Sequence, residues 1–291
     1  MKNNKTKKIR KINVFMLISF IVLFVYLLLI LLPLIWAAMS SFKENLEITY
    51  SPFELPREWL WENYQTVFEN FVAPVRSEYR DAPILELLGN TVLYAFGSAV
   101  LQMLSCMLTA YIVARFNFKF CNILYSVVIV TMIIPIVGSL PSELRVARAL
   151  GIYDTMIGSW IMKTYFIGLY FLIFHAAFKL VPNAYAEAAY LDGAGNFTVM
   201  TRIMIPFVKG TMVTVLLLNF ITFWNDFTTP MVYMPSYPTI ALGLYSVVNN
   251  QQKVDLPMQF GACMIVAIPM ILLFVCFQGK LLGNITTGGL K

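Results

Sequence analysis

A polar stretch interrupts an otherwise apolar sequence: Pro-Asn-Ala-Tyr-Ala-Glu-Ala-Ala-Tyr-Leu-Asp-Gly-Ala-Gly at positions 182–195, which runs on to Arg-Ile-Met-Ile-Pro at 202–206. Apolar segments long enough to cross a bilayer lie on both sides of it. Asn183 is a good N-cap, and Gly193 supplies a stop after about two and a half helical turns. We therefore expect a short helix between two membrane spans, on which the carboxylates of Glu187 and Asp192 suit a basic partner. The alternative from the residues alone is an amphipathic loop lying on the membrane.

The composition places the chain in a lipid bilayer. Its 291 residues are 59% hydrophobic and only 12% charged, which is about half the charged fraction of a soluble domain. The formal net charge of +6 does not indicate nucleic-acid binding, because six of the 21 basic residues precede the first apolar segment. The positive-inside rule places basic residues there in a membrane protein. The composition thus predicts a polytopic, all-α membrane protein and no nucleic-acid partner.

Six apolar segments approach the roughly 20 residues that a helix needs to cross the hydrocarbon core. They are predicted at 13–37, 87–114, 121–141, 157–180, 208–233 and 259–280. Nine of the 15 acidic residues fall between the first two segments, and the basic N-terminus fixes the first span, so both termini are expected in the cytoplasm. The predicted organisation is a basic cytoplasmic tail (1–12), a first span (13–37), an outer segment with short interfacial helices (38–86), a core of five spans (87–280) that contains a cytoplasmic loop (181–207), and a cytoplasmic C-terminal tail (281–291).

Groups that could carry catalysis are scarce in this sequence. It has one histidine, His175, four cysteines without a C-x-x-C pair, and no G-x-x-x-x-G-K-[ST] phosphate loop. An intramembrane enzyme would need paired catalytic groups at membrane depth. A secondary transporter driven by ions would need ionisable residues inside the membrane for coupling. The sequence favours neither class, and we expect no catalytic residue, metal site or cofactor on this chain.

The fifth apolar segment carries polar residues towards one end. Asp226 follows Val208 by 18 residues, or about 27 Å along a helix, which places it near the outer interface rather than the midplane. A charged residue in a span tends to mark a solute pathway, so Trp224, Asn225, Asp226 and Asn219 are candidate residues of a substrate path. The alternative for Asp226 is a solvated helix end or a structural hydrogen bond.

The polar stretch also resembles a known motif. Glu-Ala-Ala at 187–189, three residues, Gly193, nine residues, and then Ile203 and Ile205-Pro206 are similar to the EAA loop of ABC importer permeases, where leucine usually stands at the position of Ile205. Three further segments resemble the sugar permeases of that family: 224–227, 239–244 and the glycine-rich end 288–291.

The resemblance implies a type I ABC importer permease fold with six transmembrane helices, in the carbohydrate family and similar to its maltose-type second permease subunit. In that family the EAA loop seats in a cleft of an ATP-hydrolysing subunit, so ATP and Mg²⁺ are expected on that partner and this chain is expected not to be an enzyme. The residues assigned to ATPase coupling are Glu187, Ala188, Ala189, Asp192, Gly193, Ile203 and Pro206. The residues assigned to an outer loop that contacts a solute-binding protein are Thr239, Leu242 and Gly243.

The resemblance also implies an assembly in the bacterial cytoplasmic membrane. Its expected members are a second, homologous permease subunit in a heterodimer, two ATPase subunits and an extracytoplasmic solute-binding protein. The expected substrate is a sugar or an oligosaccharide. The alternative is a permease of the same superfamily for a polyamine, an amino acid or glycerol phosphate.

Overall fold

The structure is a computed structural model that describes residues 14–116, 118–134, 138–249 and 254–286. It is mostly helical. The predicted basic tail (1–12) and the glycine-rich end (288–291) lie outside the described residues. The helices are α1 (Val14–Ser40), α2 (Asn45–Tyr50), α3 (Glu62–Asn70), α4 (Ile84–Arg115), α5 (Lys119–Ile133), α6 (Leu140–Ala149), α7 (Met156–Met162), α8 (Leu169–Leu180), α9 (Ala184–Leu191), α10 (Asn196–Thr198), α11 (Ile205–Trp224), α12 (Thr228–Tyr233), α13 (Ile240–Asn249) and α14 (Leu256–Thr286).

Within the described residues, four helices are long and apolar enough to cross a membrane. They are α1, α4, α14 and the continuous helix Asn196–Trp224, in which a π-helical turn, Val199–Met204, joins α10 to α11. These four correspond to the first, second, sixth and fifth predicted spans. Helix α14 continues past the predicted end of the sixth span at residue 280, since it runs to Thr286.

The third and fourth predicted spans differ from simple membrane helices. The third contains α5, whose 15 residues cover about 22 Å. The fourth is divided, because α7 ends at Met162, α8 begins at Leu169, and residues 163–168 between them are not helical. Gly168 supports this break, since its φ of 123° is one that side-chain-bearing residues rarely adopt.

The outer segment contains α2, α3 and a β-hairpin that the sequence analysis did not predict. Strands β1 (Val72–Val75) and β2 (Arg80–Pro83) pair antiparallel, with Val72 opposite Pro83 and Val75 opposite Arg80. The hairpin alternates buried and exposed residues, as expected for a ribbon with one face on a core. It packs on α4 and α13 at the end of the bundle where α4 begins, which we call the outer end in keeping with the predicted topology.

Helix α4 is the centre of the packing. It contacts α8 and α11 most extensively and also contacts α5, α7 and α13. The half of α4 that ends at Arg115, called its inner half here, belongs to one hydrophobic cluster with α5, α8 and the start of α11. Its outer end belongs to another with the hairpin, α13 and α14. Helix α1 packs along α14 and exposes its apolar side chains, as suits a helix facing lipid.

Candidate functional site

The polar stretch folds into the short helix α9, and every residue of α9 is exposed or half-buried. Its end is a Schellman turn: the amide of Gly193 donates to the Tyr190 carbonyl at 3.0 Å, and the amide of Ala194 donates to the Ala189 carbonyl at 2.9 Å. Gly193 has a φ of +82°, which this turn requires and which favours glycine. The stop at Gly193 is therefore formed as the sequence indicates.

The beginning of α9 is held differently from the expectation. Asn183 has helical backbone angles, and its side chain does not cap α9. Instead its Oδ1 accepts a hydrogen bond from Nη1 of Arg115, and Nη2 of Arg115 donates to the carbonyls of Phe178 and Val181 at 2.7 Å each. The guanidinium at the inner end of α4 therefore satisfies the last carbonyls of α8 and fixes the entry to the loop. The N-cap prediction for Asn183 is wrong because this cation competes for the same oxygen.

The far side of the loop is tied into the bundle as well. The Tyr190 hydroxyl and Asn196 Oδ1 form a hydrogen bond of 2.9 Å across the turn. Val199 and Met204 of the π-helical turn are fully buried in the inner cluster. The loop is thus one unit attached to α4, α8 and α11. Between these anchors, Ile203 is half-buried, and Pro206 is exposed at the second position of α11.

The exposed surface of this unit mixes apolar and acidic side chains. Leu191 is 90% exposed and Phe197 is 74% exposed, while the carboxylates of Glu187 and Asp192 are also on the surface. Ala188 is exposed and Ala189 is half-buried, so small side chains allow another surface to come close. Such a protruding surface suits a partner that has an apolar cleft with basic residues at its rim.

The candidate path residues at the end of α11 are not grouped around an open space. Trp224 is only 4% exposed and packs in the outer cluster, 5.7 Å from the ring of Phe220. Its indole is therefore not free to stack on a sugar in this conformation. Asn219 is buried, and its Nδ2 lacks a hydrogen-bond partner among the described residues. Asn225 is exposed and donates to the Ile221 carbonyl at 2.8 Å.

Asp226 has a structural role in the described fold. Its Oδ2 accepts from the buried Tyr94 hydroxyl at 2.7 Å, and its Oδ1 accepts from the Thr229 amide at 3.0 Å. It therefore caps α12 and joins it to α4. This is the alternative that the sequence left open, a structural hydrogen bond, and it explains why α12 is separate from α11.

The three residues assigned to an outer contact loop are also inside the molecule. Thr239 is fully buried, and Leu242 and Gly243 lie on the buried face of α13. A Cβ on Gly243 would lie 2.7 Å from atoms of Phe71 and Leu87. These side chains hold α13 on the hairpin and α4, so any contact with a binding protein in this region must use other residues.

Sequence reasoning missed two elements of this arrangement. No role is predicted for Arg115 from the sequence, although a basic side chain near the end of a helix can satisfy its last carbonyls. The break at 163–168 was missed because its residues continue an apolar run. The His175 ring lies 4.7 Å from that of Tyr125. The described residues contain no group of three His, Cys, Asp or Glu side chains that could hold a metal ion.

The chain is similar to membrane components of solute importers over most of its length. Diacetylchitobiose uptake system permease protein NgcG of Streptomyces coelicolor is 27% identical, with 94% of this chain and 88% of the relative aligned. Multiple sugar-binding transport system permease protein MsmG of Streptococcus mutans is 27% identical, over 98% of this chain and 100% of the relative.

A solved structure and a family model agree with these relatives. A chain of a bacterial ABC transporter involved in the import of the acidic polysaccharide alginate superposes with a TM-score of 0.74 at 20% identity, covering 91% of this chain and 95% of that one. The model for the binding-protein-dependent transport system inner membrane component matches residues 106–281, which include the whole of the α9 loop. The chain belongs to the family of binding-protein-dependent transport system inner membrane components.

Proposed function

We propose that this chain is a permease subunit of an ATP-driven importer for a sugar or oligosaccharide, located in the bacterial cytoplasmic membrane. It forms half of the translocation pathway and receives the ATP-driven movement through the α9 loop. Family membership supports the transport role. The functions for which the two relatives are named, diacetylchitobiose uptake and multiple-sugar transport, support a carbohydrate substrate.

The observation that supports the coupling role most strongly is the exposed surface of α9 and its turn, which is attached to α4, α8 and α11. A loop tied by hydrogen bonds and buried side chains to α4, α8 and α11 moves these helices when a partner moves it. A flexible loop would absorb the same displacement. Two packing arrangements of such a bundle, biased by a partner at one end, are sufficient for a switching mechanism.

Each coupling residue has a proposed role in that contact. Glu187 pairs with a basic residue of the ATPase, and Gly193 turns the chain so that α9 and the helix at Asn196 present one surface. Ala188 and Ala189 let the partner approach closely, and Asp192 adds a second carboxylate. Ile203 and Pro206 anchor the returning helix.

The sequence itself carries no phosphate-binding loop, so ATP and Mg²⁺ bind to the ATPase partner. The proposed assembly has two ATPase subunits, a second permease subunit that forms a heterodimer with this chain, and an extracytoplasmic solute-binding protein. The two ATPase subunits close on ATP, and the binding protein delivers the solute to the outer face.

Uptake into proteoliposomes tests this function. The full complex, reconstituted with its binding protein and with ATP and Mg²⁺ on the ATPase side, is offered labelled diacetylchitobiose, maltotriose, spermidine, arginine and glycerol 3-phosphate in separate assays. We expect ATP-dependent uptake of at least one sugar, and none when a non-hydrolysable ATP analogue replaces ATP. Uptake of a non-sugar solute alone would contradict the carbohydrate assignment, and uptake without ATP would contradict the importer class.

A further inference from the structure

The segment that follows α2, residues 51–55, folds back onto the last turn of α1. Nε1 of Trp36 donates to the Pro52 carbonyl at 2.6 Å. Trp36 lies four residues before the end of α1, which is about 6 Å of helix. The Trp36 ring also lies 6.3 Å from that of Phe53 and 5.1 Å from that of Phe260 near the start of α14. The segment therefore lies beside the outer end of α1 rather than beyond it.

Buried donors satisfy part of the backbone of this segment. Lys43 is fully buried, and its amine donates to the carbonyls of Ser51 and Pro52 at 2.7 and 3.3 Å. Together with Trp36 it gives the Pro52 carbonyl two donors. Asn63 holds Lys43 in turn, because its Nδ2 donates to the Lys43 carbonyl at 2.9 Å. Carbonyls that are bonded in this way can enter a less polar layer at little cost, whereas free carbonyls could not.

The apolar side chains of the segment are exposed. Phe53 is 83% exposed and Leu55 is 68% exposed, and Tyr50 at the end of α2 is 82% exposed. Glu54, between the first two, is exposed as well. Through the contact of Phe53 with α1, these side chains continue the exposed apolar surface of that helix. A continuous apolar surface of this kind marks a contact with a membrane or another protein.

We propose that residues 50–55 form an anchor in the outer leaflet, in which Phe53 and Leu55 contact lipid where the acyl chains meet the headgroups. The segment adjoins α1, whose exposed apolar side chains suit lipid. Trp36 lies beside it, and tryptophan is enriched at this boundary. Glu54 limits the depth of the anchor, because a carboxylate is costly in the hydrocarbon core.

This contact goes beyond the proposed transport function, because it depends neither on the solute nor on the ATPase. It fixes the depth of the outer end of α1. The hydrogen bonds of Lys43 and Asn63 connect the anchor to α3, so the position of α3 above the membrane follows from it. The competing occupant of the same surface is the second permease subunit of the proposed assembly, and the experiment distinguishes it from lipid.

Quenching by spin-labelled lipid tests the anchor in the full complex, reconstituted in phosphatidylcholine vesicles. Phe53→Cys and Leu55→Cys are made separately in a background in which Cys263 and Cys276 are replaced by serine, and each is labelled with nitrobenzoxadiazole. The matched control is Tyr79→Cys, because Tyr79 lies on the turn of the hairpin and is 99% exposed. A complex without an introduced cysteine is labelled in parallel, and its signal is subtracted. The vesicles contain a phospholipid with a nitroxide beside the headgroup or, separately, at the end of an acyl chain.

The two nitroxides report both contact and depth. We expect the headgroup nitroxide to quench the labels at positions 53 and 55 roughly three times more strongly than the control label, and more strongly than the acyl-end nitroxide does, because the anchor is shallow. Quenching equal to that of the control at both positions would overturn the proposal. A blue-shifted emission that neither nitroxide quenches would also overturn it, because the label would then be buried against the second permease subunit.

Discussion

The loop at 183–206 and the segment at 224–243 are both rich in motif residues, and the fold treats them in opposite ways. In the loop, Glu187 and Asp192 are exposed on a helix that contributes no fully buried residue. In the segment, Trp224 and Thr239 are buried. A recognisable pattern therefore shows where residue types matter. Whether they matter for a partner or for internal packing depends on how many neighbours cover the element.

Helix α4 joins the two regions mechanically. At its inner end Arg115 holds the loop through three hydrogen bonds. At its outer end Tyr94 bonds Asp226 at 2.7 Å, and Oγ1 of Thr91 accepts from the Ile240 amide at 2.8 Å. A displacement of the loop can therefore be transmitted through α4 to the segment at 224–243. The comparison predicts that substitutions in the segment change stability, whereas substitutions in the loop change coupling.

The largest expected effect on stability is that of Asp226→Ala. The substitution removes three hydrogen bonds, two from Thr229 at the start of α12 and one from the buried Tyr94 hydroxyl, which is left without its acceptor. We expect a loss of about 3 kcal/mol. We expect a clearly lower melting temperature of the purified complex, measured by fluorescence-detected size exclusion. Asp226→Asn, which retains an acceptor oxygen, is the control and should lose less. A variant with wild-type melting would show that the segment is not held as described.

Gly243→Ala is expected to have the next largest effect. Its new methyl group would lie 2.7 Å from both Phe71 and Leu87, and such overpacking costs about 2 kcal/mol. The same thermal assay measures it. The matched control is Gly89→Ala, also on a helix, where nothing lies within 4 Å of an added Cβ. Equal melting temperatures for the two variants would contradict the buried position of α13.

Gly193→Ala changes the loop without a packing clash and so separates an effect on coupling from an effect on stability. Nothing lies within 4 Å of an added Cβ, so the cost is only the strained φ of +82°, about 1 kcal/mol. We expect the complex to assemble and melt close to wild type but to hydrolyse ATP with weaker stimulation by solute, because the turn after α9 is altered. Unchanged stimulation would mean that the geometry of this turn is not used for coupling.

The smallest expected effect depends on pH and concerns Glu143, which accepts a hydrogen bond from Tyr233 of the segment at 224–243. Hydrogen bonds from Ser139 and from Tyr233 hold the pKa of the Glu143 carboxyl below its ordinary value of 4.5. A carboxyl with a lowered folded-state pKa adds stability above its unfolded-state pKa and loses that stability as the pH falls further. Melting of wild type should therefore decline more than that of Glu143→Gln as the pH falls below about 4.5. If the melting temperatures of the two proteins fall in parallel with pH, the hydrogen bonds of the Glu143 carboxylate do not stabilise the fold.

The sequence predicts the spans and the loop better than it predicts burial. Hydropathy finds α1, α4 and α14 because each is a long apolar run, and the positive φ at Gly193 follows from glycine itself. The break at 163–168 is not predictable from local residues, because Gln102 and Cys106, more than 55 positions away, bond the backbone of Tyr165 within it. The burial of Thr239 and Leu242 also depends on partners distant in sequence, chiefly the hairpin and α4.

ATP hydrolysis by the reconstituted complex tests the central claim, that the exposed α9 loop couples this subunit to an ATPase, most directly. Wild type is compared in nanodiscs with the double variant Glu187→Ala, Gly193→Asp, and Gly89→Ala is the control for a neutral substitution. Solute-loaded binding protein is added to each, and assembly is checked by size exclusion. We predict that the double variant loses solute-stimulated hydrolysis while the control retains it. A double variant that assembles and is stimulated as strongly as wild type would contradict the account.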